Sequence, residues 1–174
     1  MKVAYQGVPG AFSHEACCKF LPDAELVGQA TFANVIDAVE NGDADIGILP
    51  RANNSAGTVP EVQELIDGSR LKVVAEHRLP IRIHLLGLPG AQLEQVRVAV
   101  SHPMALKQCV RHLDELGLEQ QEASNTAAAA QSLSDPTNAV LASEAAAEAY
   151  GIEVLKRDMH DRDDNETIFV LVSR

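Results

Sequence analysis

Ser101-His102-Pro103-Met104-Ala105-Leu106 follows directly on Val96, Val98 and Val100, the alternating apolar positions of a buried strand. A strand that runs through a serine into a helix-starting proline and an amphipathic helix delivers free backbone N–H groups to an anionic ligand. Similar joints are read at Gly7–Ser13, Pro50–Val59 and Ala123–Thr126, so at least four positive helix ends are expected to face one cleft. The chain reads as a binder of a small anion before any chemistry is assigned.

Working outward, short β-branched runs alternate with helical patterns. Lys2–Tyr5, Asp45–Leu49, Lys72–Ala75, Ile81–Leu88, Val96–Val100, Ala139–Ala142 and Thr167–Val172 read as strands. Phe32, Val35, Ile36 and Val39 form a helical stripe with Thr31 as N-cap and Gly42 just past its end. Leu106, Cys109, Val110, Leu113 and Leu116 repeat that stripe, and the Ala-rich stretches at 127–130 and 145–147 fit close-packed helices. Strand and helix alternating in this way indicate an α/β fold. No linker or repeat divides the chain, and a hinge is expected near Arg78–Pro80, where one strand ends and another begins with no helix between them.

At 174 residues and 46% hydrophobic content the chain can bury a sizeable core. Its formal net charge of −11 argues against a nucleic-acid surface, which needs clustered Lys and Arg. No run of about 18 apolar residues offers a membrane span, and MKVAYQ reads as a strand rather than a leader, so a soluble cytoplasmic protein is expected. Cys17, Cys18 and Cys109 are odd in number, with no C-x-x-C pair and no metal-ligand spacing; the adjacent pair reads as core or near-core residues, with a reactive thiol as the alternative.

The motifs together resemble the prephenate dehydratase family. They are VAYQGVPGAFSHEA, AVENGDADIGILP followed by NNSAGTV, LPIRIHLLG, VSHPMALKQC, ASNTAAAA, SEAAAEAYG and DNETIFVLV, in the family's order over nearly all of the chain. The resemblance implies an α/β catalytic domain of two lobes arranged like type II periplasmic binding proteins, with the active site in the cleft between them. Lobe one would be about 1–78 plus 156–174, and lobe two about 79–155. It also implies a lyase that removes water and carbon dioxide from prephenate, a homodimer, and neither metal nor organic cofactor. Many family members continue into an ACT domain that binds phenylalanine; regulation of that kind is not expected within these residues.

The departures are specific. Thr167-Ile168-Phe169 keeps the family's threonine and loses the arginine that follows it, and Pro50-Arg51-Ala52-Asn53-Asn54 keeps the asparagine of Pro-Ile-Glu-Asn-Ser without its glutamate. Ala11 and Met104 stand where the family commonly has Thr and Gln.

Prephenate carries two carboxylates and a leaving hydroxyl, so its site needs fixed donors and a proton source. The resemblance makes Thr167 the candidate for handling the hydroxyl, with Asn53 beside it as catalytic; from local sequence alone Thr167 simply opens a strand and Asn53 sits in a turn. Ser13, Asn54, Ser101, His102, Arg51 and Thr126 complete the expected substrate-binding set. Ser13 and Ser101 are candidate helix caps, and His14 and His102 read as ordinary polar contacts. Arg51 either replaces the missing positive group at Ile168 or points to solvent. Three functions stay open: a lyase acting on prephenate or arogenate, a divergent member that decarboxylates without aromatisation, and a non-catalytic binder of small carboxylates.

Overall fold

The structure, a computed structural model, describes residues 1–124 and 126–174. Its contacts divide the chain into two compact units, one of Met1–Val8, Phe12–Ile81 and Asp164–Arg174, the other of Pro9–Ala11 and Arg82–Asp163. Against the expected boundaries at 78/79 and 155/156, Leu79–Ile81 stay with the first unit and Lys156–Asp163 with the second.

In the first unit β1 (Lys2–Gln6), α1 (Phe12–Phe20), β2 (Glu25–Gln29), α2 (Phe32–Asn41) and β3 (Ile46–Asn53) lead into the short β4 (Gly57–Thr58), α3 (Pro60–Gly68) and β5 (Lys72–Pro80). The sheet runs β2-β1-β3-β11-β5, with β4 paired only to β3 and the terminal strand β11 (Glu166–Ser173) inserted between β3 and β5. β1, β2 and β3 are parallel, and β11 is antiparallel to both of its neighbours. α2 forms as its stripe dictates. The Thr31 hydroxyl accepts from Asn34 N at 3.1 Å, Gly42 closes the helix at φ 84°, and Val35 and Val39 are fully buried against Leu49, Val170 and Val172.

The second unit contains β6 (His84–Gly87), β7 (Val98–Ser101), α4 (Pro103–Gln108), α5 (Val110–Glu115), β8 (Glu119–Glu122), α6 (Thr126–Gln131), β9 (Asn138–Ala142), α7 (Glu144–Tyr150) and β10 (Glu153–Lys156). Its sheet runs β10-β6-β9-β7-β8, with β7 parallel to both β8 and β9. Leu86, Val140, Ala142, Ala146 and Ala147 pack as its core, the small alanines letting α7 lie close to the sheet.

Three local expectations are corrected. The boundary expected near Arg78–Pro80 falls just beyond it: β5 continues through Pro80, pairing with β11 at Arg78↔Ile168, Leu79↔Thr167 and Pro80↔Glu166, and the first unit extends to Ile81. The single helix expected over 106–116 is two, α4 and α5, broken at Cys109 (φ −121°, ψ 11°). Asp161 causes the break, because its carboxylate accepts from Arg111 N at 3.0 Å while its own N–H donates to Gln108 O at 2.8 Å, in place of the helical ladder. The joint at Pro50–Val59 is no direct strand-to-helix step either, since β3 turns back into β4 before α3 starts.

Candidate active site

In the first unit the polar candidates gather where β3 ends and β11 begins. Thr167 sits directly opposite Asn53 in the antiparallel register. Asn53 Nδ2 donates to Thr167 Oγ1 at 2.9 Å and to Asn165 Oδ1 at 2.9 Å, while its Oδ1 accepts from Ser55 N at 2.8 Å and Ala56 N at 3.0 Å. Both amide hydrogens and both oxygen lone pairs are thus spent on protein. Asn53, expected to act on substrate, holds Thr167 in this structure, with its amide hydrogens and its oxygen engaged by protein groups.

That bond decides what Thr167 can do. Its oxygen accepts from Asn53, so its own hydrogen points elsewhere, and it meets no acceptor among the described residues. The half-buried hydroxyl is therefore a donor held in place by an amide.

Asn54 straps the same segment from outside. Its Oδ1 accepts from Glu166 N at 3.0 Å, its Nδ2 donates to Asp164 O, and its N–H donates to Glu166 O at 3.1 Å. Asn54, expected as a substrate contact, lies exposed at the start of β11 and fastens the backbone there.

Ser13 does not cap α1; the helix starts at Phe12 and Ser13 lies buried in its first turn. It nevertheless shares a sheet face with Thr167. Phe20 of α1 stacks on His77, with ring centroids 4.5 Å apart, and His77 pairs with Phe169, which alternates with Thr167 on β11.

Arg51 is placed differently. It is the extra β3 residue where the register shifts between Ile168 and Phe169, a bulge that turns its side chain toward Glu76, with Nη1 3.2 Å from the carboxylate. Glu76 pairs with Val170 and Arg78 with Ile168, so these side chains share one face and Thr167 lies on the other. The guanidinium is engaged on the face away from Thr167, and its Nε is buried without a hydrogen-bond partner among the described residues.

In the second unit Ser101, His102 and Thr126 do come together, at the carboxyl end of the parallel strands where α/β sheets bind ligands. Ser101 is fully buried and does not cap α4. Its hydroxyl donates to Leu141 O at 2.9 Å, so Thr126 Oγ1, 3.0 Å away, donates to Ser101 Oγ and accepts from His102 N at 3.2 Å. His102 caps α4 instead, its Nδ1 accepting from Met104 N at 3.1 Å. The decisive stretch therefore does not present free N–H groups: Pro103 has none, and those of His102 and Met104 are taken by side chains of the chain itself. The joint read at Ala123–Thr126 passes through Asn125, which lies outside the described residues.

Sequence reasoning missed Asn165 and the contact that Ser143 makes with Gly10. Asn165 is 4% exposed. Ser143 caps α7 through Ala146 N at 3.3 Å and donates to Gly10 O at 2.7 Å; Gly10 has φ +88°, and a Cβ there would lie 2.9 Å from Ala146 Cα. The DNETIFVLV and SEAAAEAYG motifs contained both residues without singling them out. Cys17 and Cys109 are no nucleophiles, since burial first, with Cys18 or Asp161 adding, pushes each thiol up to about 12. Among the described residues no group of His, Cys, Asp and Glu could hold a metal ion, and no helix is long and apolar enough to cross a membrane.

Two α/β units, each with polar side chains at the carboxyl ends of parallel strands, define the class of fold seen in periplasmic substrate-binding proteins. The methionine-binding protein MetQ matches it with a TM-score of 0.52 at 15% identity, over 100% of this chain and 82% of MetQ, a likeness of fold alone. Within that class the chain belongs to the prephenate dehydratase family, whose model matches residues 3–174. Arogenate dehydratase/prephenate dehydratase 1, chloroplastic, of Arabidopsis thaliana is 36% identical over 100% of this chain and 45% of its own length. Among solved structures, GqqA, described as a novel type of quorum-quenching acylase, matches with a TM-score of 0.92 at 36% identity over 100% of this chain and 64% of GqqA. The prephenate dehydratase of Arthrobacter aurescens in complex with L-Phe matches with a TM-score of 0.88 at 27% identity over 100% of this chain and 60% of that one. The chain spans about half the length of the curated relatives it matches.

Proposed function

We propose that this chain is a dehydratase that converts prephenate to phenylpyruvate, with arogenate as the alternative substrate of the same chemistry. The observation that carries this reading is the Thr167 hydroxyl, whose oxygen accepts from Asn53 and whose hydrogen no described residue takes up. Family membership and the dehydratase relatives support it. In the reaction, the bond from the ring to its carboxylate breaks and releases carbon dioxide. The electron pair aromatises the ring, and the ring C–O bond breaks. Thr167 gives its hydrogen to the departing hydroxyl, which leaves as water, and the threonine oxygen regains a proton from solvent. A positioned donor is what such a poor leaving group needs.

The retained Thr167–Asn53 pair favours this over a divergent decarboxylase or a non-catalytic carboxylate binder. The lost arginine position supports the same view, because Ile168 lies on the sheet face away from Thr167, so its replacement leaves the donor intact. A division into two lobes, a cytoplasmic setting and a homodimer belong to the proposal as further expectations, the last two open to cell fractionation and light scattering. Incubation of the purified chain with prephenate and with arogenate, following phenylpyruvate and phenylalanine separately, tests the function. Formation of either product supports the reading, and unchanged substrate in both incubations refutes it.

A further inference from the structure

Asn165 is a buried amide next to the chemistry but one residue removed from it. Asn53 Oδ1 faces the N–H groups of Ser55 and Ala56, which fixes which end of that amide is oxygen. The opposite end must be Nδ2, with two hydrogens to place. One goes to Thr167 Oγ1 and the other to Asn165 Oδ1, each at 2.9 Å. Asn165 is itself anchored, because its carbonyl accepts from Ile81 N at 2.8 Å just beyond the end of β5. Without the Asn165 acceptor, one Asn53 hydrogen would be stranded in a part-buried site. The amide would turn to satisfy it and release the Thr167 oxygen.

We infer that Asn165 is a positioning residue that sets the direction of the Thr167 hydroxyl through Asn53. The inference rests on the dehydratase reading only for its kinetic consequence. It accounts for why a polar side chain is tolerated at 4% exposure at the head of β11. It also separates two side chains of equal hydrogen-bonding potential: Asn165 orients the donor, whereas the exposed Asn54 fastens the backbone of residues 164 and 166.

Two variants distinguish the role from simple support. Asn165→Asp keeps an oxygen for Asn53, and Asn165→Leu removes it at similar volume. Asn165→Leu is expected to lower kcat by about 100-fold with KM nearly unchanged, as misplacement of a reacting group does, while Asn165→Asp stays close to wild type above the pH range where carboxyls titrate. In a Thr167→Val background, Asn165→Leu is expected to lower kcat no further. An equal loss in both backgrounds, or wild-type kcat in Asn165→Leu, overturns the inference. A second readout needs no activity: in 15N-labelled protein the side-chain amide hydrogens of Asn53 exchange slowly in wild type and Asn165→Asp, and fast in Asn165→Leu. If wild type turns over neither substrate, the dehydratase reading fails, and this exchange measurement alone decides the positioning role. Unchanged protection in Asn165→Leu contradicts it.

Discussion

The polar ends of the two units are built from the same kinds of side chain and differ in where their hydrogens go. In the second unit the chain from His102 N through Thr126 and Ser101 ends on the Leu141 carbonyl, so each hydroxyl hydrogen along it is spent inside the protein. In the first unit the chain starts at the Asn53 amide and ends on Thr167, whose hydrogen is passed to no described residue. A closed chain stabilises the fold. An open one can donate to a ligand, and the residue type alone does not reveal which is which.

Thr167 itself aside, the largest effect expected within this comparison is at Asn53. Asn53→Leu removes the donor to Thr167 and is predicted to lower kcat by about 100-fold, with a loss of stability as well, because Ser55 and Ala56 lose their acceptor. Steady-state kinetics beside thermal unfolding separates the two losses. Ser101→Ala is the counterpart in the closed chain. It strands the Leu141 carbonyl and the Thr126 hydroxyl, so it is predicted to cost about 1–3 kcal/mol of stability in chemical denaturation while kcat stays near the wild-type value. Collapse of kcat at unchanged stability would break the comparison and make Ser101 a substrate contact.

A pH-gated loss of stability is predicted from His84, which is buried and accepts from Asp158 N at 3.0 Å through Nδ1. Burial holds its pKa below the ordinary value, partly offset by the Asp158 charge. The folded state then binds fewer protons than the unfolded one. Stability from this group is complete above the unfolded value of about 6.5 and is lost as pH falls from there through the lowered folded value. Denaturation midpoints measured across that window should fall in wild type, and fall less in His84→Asn, which keeps an acceptor without a titration. The smallest effect is expected at Arg51. Its pair with Glu76 is partly exposed, so Arg51→Ala should change stability by less than about 1 kcal/mol and leave KM unchanged. A raised KM that added salt abolishes would return Arg51 to the substrate.

The same contrast between buried and exposed bonding explains what could be read from the sequence. β1, β3, β9 and β11 announce themselves because they are central strands with apolar side chains on buried faces. β2, β8 and β10 are sheet edges held by backbone hydrogen bonds on one side; Glu119-Gln120-Gln121-Glu122 offers no apolar period at all. The break at Cys109 was hidden because Asp161, distant in sequence, supplies it. At the candidate site, the family motifs named Thr167 and Asn53, which the structure pairs, but the direction of a hydroxyl depends on the register of β3 against β11 and on Asn165, and no local pattern encodes either. Arg51 shows the converse: its charge was plain in the sequence, while the bulge that carries it to Glu76 was not.

The central claim is that the Thr167 hydroxyl is the hydrogen donor of this protein. The most direct test compares Thr167→Ser, which keeps a hydroxyl, with Thr167→Val, which keeps the shape and loses it, on whichever of prephenate or arogenate the wild type consumes. General acid assistance of this kind contributes about 10²–10⁴-fold, so Thr167→Val should lose that much kcat with little change in KM, and Thr167→Ser should retain most of the wild-type rate. Turnover by Thr167→Val equal to that of wild type would contradict the account.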